Sequence, residues 1–144
     1  MKKINHFING KEYISKSDRF GDIFNPASGE KIGSVSFANK DDVALAIQNA
    51  SDAQKKWAAT PPLARSRVMF KFKELILRDM DKLALELTNE HGKILSDSVG
   101  SLTRGMEVVE FACGIPHLLK GEFSENVGTE IDSWSTRQPL GVCV

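Results

Sequence analysis

The sequence has few cysteines, no excess of charge of either sign and no long apolar run. Two Cys in 144 residues exclude a disulfide-dense secreted scaffold. The 19 Lys and Arg balance the 19 Asp and Glu, which argues against a protein that mainly binds nucleic acid or an anionic membrane. No apolar stretch approaches the ~20 residues of a transmembrane helix, and no apolar segment of a signal peptide follows the N-terminal lysines. We therefore expect a cytoplasmic protein whose two thiols are free.

The usual signatures of metal and nucleotide sites are also missing. His6, His91 and His117 show no i, i+4 spacing and have no accompanying Cys or carboxylate cluster, so no metal site is expected. There is neither a Gly-x-Gly-x-x-Gly nor a Walker loop. Cys113 lacks the cationic neighbour of a nucleophile, and Cys143 lies in an apolar stretch, so both are expected to be packed core thiols. We assign no catalytic, cofactor-binding or metal-binding residue.

The first forty residues carry the signals of two small β units. Asn9-Gly10 separates two short apolar segments, and a type I′ turn needs the positive φ angles that this pair adopts readily. Residues 4–14 are therefore predicted to form a β-hairpin. Pro26 fixes φ and Gly29 is conformationally free, which predicts a turn before residues 31–37 resume an extended pattern.

The middle of the chain has the apolar spacing of helices. The first helix is predicted over residues 39–57, with Asn39 as its N-cap. The second is predicted to begin with Thr60 as the cap and Pro61 as the first helical residue. An interruption is expected near residues 79–81, where an Asp can cap a further helix.

A further helical region is predicted over residues 95–119, after Gly92 has ended the helix before it. Pro116 is expected to bend or end this region. Each glycine inside a helix costs about 1 kcal/mol relative to Ala, so several glycines predict close packing against another backbone. These glycines are Gly100, Gly105 and Gly114.

The last twenty-four residues return to β structure. Residues 121–138 alternate polar and bulky side chains, which predicts a ribbon that stays exposed unless something covers it. Residues 139–144 are apolar without alternation, which is typical of a buried parallel strand. Nothing upstream could build the sheet that such a strand joins. We therefore expect the chain to be the N-terminal portion of a larger α/β protein.

The order of short motifs in this chain resembles the N-terminal segment of the aldehyde dehydrogenase superfamily. The motifs cover essentially all 144 residues. They are Ile8-Asn9-Gly10-Lys11, Asn25-Pro26-Ala27-Ser28-Gly29-Glu30, Trp57 at the end of the first helix, Glu90-His91-Gly92-Lys93 and Pro139-Leu140-Gly141-Val142. The resemblance implies an α/β fold that runs from β-hairpins through helices to a β-arm and the first Rossmann strand.

Two longer segments are similar to the methylmalonate-semialdehyde dehydrogenase branch, which is CoA-acylating. They are the Arg-Gly-Met-Glu-Val-Val-Glu stretch that starts at Arg104 and the segment Ser133–Val142, in which Trp134 departs from the branch's aromatic residue. Ile94, where Thr is commoner, is a second departure. The resemblance implies oxidation of malonate or methylmalonate semialdehyde, with NAD as hydride acceptor, loss of CO2 and transfer of the acyl group to CoA.

The resemblance also implies a role for each part of the chain. Residues 1–120 would supply outer hairpins and helices of the NAD-binding domain, and residues 139–144 would begin the Rossmann sheet. Residues 121–138 would belong to an arm that joins subunits, in a homotetramer when the enzyme is complete, although a loose surface arm is the alternative. The nucleophilic Cys, the active-site Glu and the NAD contacts of the family lie beyond Val144, so the chain alone is expected to be inactive.

Arg104 is the one substrate-binding residue that the resemblance implies within the chain. In the branch this Arg binds the carboxylate of the substrate, and a guanidinium suits a carboxylate because it donates two parallel hydrogen bonds. The missing side chain of Gly105 would leave room beside it. The alternative is a surface ion pair between Arg104 and Glu107 or Asp97.

Two other functions stay open at the level of sequence. One is a non-acylating semialdehyde dehydrogenase, which a requirement for CoA would distinguish from the acylating branch. The other is a truncated, non-catalytic paralogue that acts as a binding or oligomerisation module. No partnership with nucleic acid or membrane is expected.

Overall fold

The computed structural model describes residues 2–144 and has the mixed α/β architecture predicted from the sequence. In chain order the described elements are β1 (Lys2–Ile4), β2 (His6–Ile8), β3 (Lys11–Tyr13), β4 (Phe20–Phe24), β5 (Lys31–Ser36), α1 (Lys40–Ala59), α2 (Pro62–Arg78), α3 (Met80–His91), α4 (Leu95–Cys113), α5 (Ile115–Leu118), β6 (Phe123–Gly128) and β7 (Ile131–Trp134). Across these residues, none of the helices combines the length and the apolarity that crossing a bilayer requires.

The predicted β-hairpin forms, but it is shorter than expected. β2 and β3 pair antiparallel, with His6 opposite Tyr13. The turn between them has φ angles of 55° at Asn9 and 72° at Gly10, as a type I′ turn requires. Ile4 lies outside the hairpin because β1 pairs in parallel with β5 instead.

The second β unit is a three-stranded sheet with the order β1, β5, β4. The predicted turn joins β4 to β5: the side chain of Asn25 accepts a hydrogen bond from the amide of Ala27 at 2.9 Å, and Gly29 has a φ of 73°. Lys2 of β1 lies opposite Gly33 on the other edge of β5. A Cβ on Gly33 would lie 2.5 Å from the carbonyl oxygen of Lys2, so the close approach of these strands requires glycine.

Helix α1 begins at the predicted N-cap. The side-chain oxygen of Asn39 accepts hydrogen bonds from the amides of Asp41 and Asp42, both at 2.9 Å. The Asp42 carboxylate accepts in return from the amide of Asn39 at 2.8 Å, which completes a capping box. The helix runs to Ala59, two residues further than predicted.

Helix α2 begins one residue later than predicted. Pro61 is its N-cap and Pro62 its first residue. Thr60 belongs to the end of α1, where its hydroxyl donates to the carbonyl of Lys56 at 2.9 Å. Because Thr60 precedes a proline, its backbone is held in an extended conformation that ends one helix before the next begins.

Serine hydroxyls form hydrogen bonds between α4 and the helices that pack against it. Ser98 of α4 is fully buried, and its hydroxyl lies 2.8 Å from that of Thr88 in α3. The hydroxyl of Ser66 in α2 donates to the carbonyl of Cys113 at 2.6 Å. Gly92 ends α3 in the left-handed conformation, with a φ of 82°, as predicted.

The interpretation of the α4 glycines as a close backbone contact was wrong for the described residues. A Cβ on Gly105 would meet nothing within 4 Å, and a Cβ on Gly100 would meet only the guanidinium of Arg104, at 3.6 Å. Neither of these two glycines is therefore packed against the backbone of another element. The helix ends at Cys113, before Gly114, and Pro116 occupies the first turn of the short helix α5.

The ribbon predicted over residues 121–138 is present, and the strand predicted after it is not. β6 and β7 pair antiparallel, and Trp134 is 70% exposed. Residues 139–144 form no strand, and Leu140 is 97% exposed. A parallel strand needs hydrogen-bonding neighbours, and the three sheets of the described residues provide none for this segment.

Apolar surface remains open on the inner faces of the described elements. An open groove of about 410 Å³ lies between the three-stranded sheet and α3, and its lining includes Ile4, Ile23 and Leu87. A second groove, of about 400 Å³, runs between α1 and residues 142–144. Buried apolar side chains are correspondingly few within residues 2–144.

Candidate functional site

Arg104 lies on the exposed side of α4. Its side chain runs back along the helix, and Nη2 donates a hydrogen bond to Ser101 Oγ at 3.2 Å. Nη1 lies 3.6 Å from the position that a Cβ on Gly100 would take, so the guanidinium lies over the bare backbone of that residue. Residues three and four apart share one face of a helix, which brings these three together.

Lys93 approaches the same face from the loop between α3 and α4. The left-handed conformation of Gly92 turns the chain there, and Lys93 Nζ donates to Ser101 Oγ at 2.7 Å. The Lys93 side chain is half-buried. One hydroxyl therefore accepts hydrogen bonds from two cationic side chains. We call Lys93, Ser101 and Arg104 the cationic cluster.

No carboxylate neutralises the cationic cluster within residues 2–144. The ion pair expected as the alternative for Arg104 does not form, since neither Glu107 nor Asp97 lies within 4.0 Å of its guanidinium. Further along α4, by contrast, Glu110 is paired with Lys73 of α2. Two adjacent positive charges repel each other, and an anion between them relieves the repulsion. The cluster thus has the donors and the charge to bind a carboxylate.

The space around Gly105 is open, since a Cβ there would find no atom of the rest of the chain within 4 Å. The guanidinium itself contacts Ser101 and lies next to Gly100, so the expectation that Gly105 leaves room beside it stays a prediction. Sequence reasoning found Arg104 but missed Lys93 and Ser101. The spacing of Ser101 and Arg104 by three helical residues could have indicated their contact. The approach of Lys93 could not be read from the sequence, because it depends on how α3 and α4 pack.

A second polar group joins the N-terminal hairpin region to α1, and we call Tyr13, Ser15, Asn39 and Asp42 the Asp42 cluster. Asp42 is only 2% exposed. Its carboxylate oxygen accepts from the Ser15 hydroxyl at 2.5 Å and from the amide of Asn39 at 2.8 Å. These two bonds, that of Ser15 above all, lower the pKa of the Asp42 carboxyl.

The Asp42 carboxylate also raises the pKa of the Tyr13 hydroxyl, mainly through a side-chain hydrogen bond. The ring of Tyr13 stacks on that of His6, with the centroids 6.4 Å apart. All the hydrogen bonds that the Asp42 carboxylate accepts come from other groups of the protein. The cluster therefore ties the hairpin to the start of α1 and leaves no donor for a ligand.

The two cysteines differ in their surroundings. Cys113 is buried and free, as predicted. Cys143 is free but exposed, so the prediction of a packed core thiol was wrong there, because residues 139–144 do not join a sheet. In the part of the chain that the structure describes, no three His, Cys, Asp or Glu side chains group as a metal site would require.

The sequence of this chain is similar to a known family and to known proteins. Residues 13–144 match the model of the aldehyde dehydrogenase family. Malonate-semialdehyde dehydrogenase of Pseudomonas aeruginosa is 43% identical over 142 residues, which are 99% of this chain and 28% of that protein. The acylating, mitochondrial methylmalonate-semialdehyde dehydrogenase of Arabidopsis thaliana is 43% identical over 141 residues, which are 98% of this chain and 23% of that protein.

A solved structure of a similar protein has nearly the same backbone fold. It is a Sinorhizobium meliloti 1021 protein that is assigned as a methylmalonate-semialdehyde dehydrogenase and is complexed with NAD. Its TM-score with this chain is 0.95 at 49% identity, over 98% of this chain and 29% of that one. The chain therefore spans less than a third of the length of each of these relatives.

Proposed function

Because the chain belongs to the aldehyde dehydrogenase family, we propose that it is the N-terminal portion of an NAD-dependent, CoA-acylating dehydrogenase. In this proposal the whole enzyme oxidises malonate semialdehyde or methylmalonate semialdehyde to acetyl-CoA or propionyl-CoA, with loss of CO2. The names of the Pseudomonas and Arabidopsis relatives support the substrates, and the Arabidopsis name supports the acylating step. The NAD in the Sinorhizobium structure supports the cofactor.

The observation that carries the substrate assignment is the guanidinium of Arg104. It lies on the exposed side of α4, and within residues 2–144 no carboxylate pairs with it. Both proposed substrates carry a carboxylate and an aldehyde group on the same carbon atom. A guanidinium binds a carboxylate through two parallel hydrogen bonds, which an aldehyde without a carboxylate cannot accept. Arg104 is therefore the proposed carboxylate-binding residue of the enzyme.

We infer a role for each segment of the chain. Residues 1–120 provide outer hairpins and helices of the NAD-binding domain, and residues 139–144 begin its Rossmann sheet. Residues 121–138 form part of the arm that assembles the enzyme, as a homotetramer. Two features of the ribbon support this role. Its apolar side chains are exposed, and an uncovered strand edge can pair with a strand of another subunit.

The helix starts within residues 2–144 lack the features that bind a dinucleotide. The first amides of α1 are already held by the side chain of Asn39, and Asp41 and Asp42 add negative charge at that helix end. No other helix in this range follows a glycine-rich loop. In the proposal, the contacts to NAD and CoA and the nucleophilic thiol belong to the rest of the enzyme. The chain alone is expected to be inactive.

The first experiment is to read the gene beyond the codon for Val144 and to measure the mass of the native polypeptide. A frame that continues to the length of the relatives supports the proposal. A stop codon directly after Val144, with a native mass that matches 144 residues, overturns it in favour of a binding or oligomerisation module. With the full-length enzyme, formation of NADH from malonate semialdehyde should require CoA. Product formation without CoA would indicate a non-acylating enzyme instead.

A further inference from the structure

The hydroxyl of Ser101 is the meeting point of two cations from different parts of the fold. Lys93 Nζ lies 2.7 Å from Ser101 Oγ, and Arg104 Nη2 lies 3.2 Å from the same atom. Lys93 precedes α4, whereas Ser101 and Arg104 lie within it. The hydroxyl thus links the loop to the helix through two charged donors.

The hydrogen-bonding capacity of Ser101 shows what remains available. A hydroxyl oxygen accepts at two lone pairs and donates one hydrogen. Lys93 and Arg104 occupy both lone pairs, so the hydrogen must point to a third group. Thr103, two residues later, donates its hydroxyl hydrogen to the carbonyl of Val99 at 2.9 Å. Ser101 makes no such bond within the described residues, which leaves its hydrogen for a ligand.

The charges and the space around the cluster favour an anion. No Asp or Glu of residues 2–144 lies within 4.0 Å of Lys93 or Arg104. The guanidinium lies over the bare backbone of Gly100, where a Cβ would be 3.6 Å from Nη1. An ammonium, a hydroxyl and a guanidinium therefore converge at one place, and each has a hydrogen to donate. A carboxylate, with two oxygens and about four acceptor positions, matches this set.

We propose that Lys93 and Ser101 bind the substrate's carboxylate together with Arg104, and that their hydrogen bonds also hold the guanidinium of Arg104 in place. This inference rests on the proposed function, in which Arg104 binds that carboxylate. Lys93 holds the Ser101 hydroxyl, which in turn fixes the direction of the guanidinium. The charge of Lys93 strengthens the attraction for the anion at the same place. An aldehyde without a carboxylate gains nothing from these contacts.

The test uses the full-length enzyme with Lys93→Met, which keeps the length of the side chain and removes its charge and donors. The KM for malonate semialdehyde should rise about tenfold, the effect expected when one charged hydrogen bond is lost. The kcat should change by less than a factor of about two, and the KM for propanal should stay the same, because the contact involves only the carboxylate. Lys93→Arg should restore most of the loss, and Ser101→Ala should raise the same KM by a smaller factor.

Binding of malonate provides a readout that does not depend on turnover. Its Kd, measured by calorimetry, should weaken in Lys93→Met by the same factor as the KM of the semialdehyde. Lys71→Met is the matched control, since Lys71 is an exposed lysine of α2 that pairs with Glu74 at 2.6 Å and not with the cationic cluster. This control should leave the KM values and the Kd unchanged.

The outcomes separate this inference from the proposed function. If Arg104→Ala selectively raises the KM for the semialdehyde while Lys93→Met and Ser101→Ala do not, Arg104 acts alone, and the inference is wrong although the function stands. If Lys93→Met raises the KM of both aldehydes equally, its role is structural and the inference is also wrong. If the wild-type enzyme oxidises neither semialdehyde, or Arg104→Ala affects both aldehydes equally, the proposed function itself is wrong.

Discussion

The Asp42 cluster and the cationic cluster each connect two parts of the chain through a serine hydroxyl. They differ in whether the protein itself supplies a partner for the charged groups. Ser15 donates to a buried carboxylate 27 positions along the chain, and the backbone of Asn39 adds a second bond to the same oxygen. Ser101 instead accepts from two cations that no carboxylate neutralises within residues 2–144. A charge whose hydrogen bonds are filled by the protein supports the fold, whereas a charge without a partner is available to a ligand.

The largest effect is expected for Arg104→Ala in the full-length enzyme. Loss of a two-pronged contact with a carboxylate should raise the KM for malonate semialdehyde by about 100-fold, equivalent to about 3 kcal/mol. The KM for propanal should change little. Steady-state kinetics with both aldehydes make the measurement, and Arg67→Ala, at another exposed Arg, is the control. Equal increases for both aldehydes would contradict the difference drawn between the two clusters.

The next effect is expected at the Asp42 cluster and should concern stability only. Asn39→Ala removes the side chain that caps α1, which should lower the free energy of local opening by about 1 kcal/mol. Amide hydrogen exchange in the first turn of α1 should then be about fivefold faster. Asn49→Ala, which removes a half-buried amide from the middle of α1, should not change exchange at the helix start. Unchanged exchange in Asn39→Ala would show that the capping box does not hold this helix end.

A smaller effect, of opposite sign, is expected for Gly105→Ala beside the cationic cluster. A methyl group there meets no atom within 4 Å, so the higher helix propensity of Ala should stabilise the fold by about 0.5–1 kcal/mol. Thermal unfolding measures this change. Gly92→Ala is the contrasting variant: its φ of 82° and the Pro26 side chain, 2.8 Å from the new Cβ, should make the same substitution destabilising. A destabilised Gly105→Ala variant would show that the space around Gly105 is not open.

The smallest effect is expected in the pH dependence of stability. The fold lowers the pKa of Asp42 below the ordinary value of 3.8, so its contribution is fully present above that value and is lost as the pH falls through the lowered pKa. The wild-type Tm should therefore decrease on acidification in this range, and Asp42→Asn should show a smaller decrease. Asp41→Asn, at a neighbour that makes no side-chain hydrogen bond in the described residues, should keep the wild-type profile. Identical profiles for wild type and Asp42→Asn would show that Asp42 does not cause the decrease of the Tm at low pH.

The sequence alone determined the features that depend on neighbours in the chain. The hairpin turn at Asn9-Gly10, the cap at Asn39 and the helix end at Gly92 were all predicted, because each is set by the φ preference or the hydrogen bonds of one to four consecutive residues. The order of short motifs also predicted the family, which the match over residues 13–144 confirms. The assignment of Arg104 to the substrate's carboxylate stays a prediction.

Only the tertiary structure decided which distant residues meet. β1 pairs with β5 across about thirty residues, Ser15 meets Asp42, and Lys93 meets Ser101. Residues 139–144 have the composition of a buried strand and form none, since a strand requires partners that composition cannot supply. The physical reason is the same in each case. A local pattern fixes dihedral angles and nearby hydrogen bonds, whereas a long-range contact depends on how separate elements pack to bury their apolar faces.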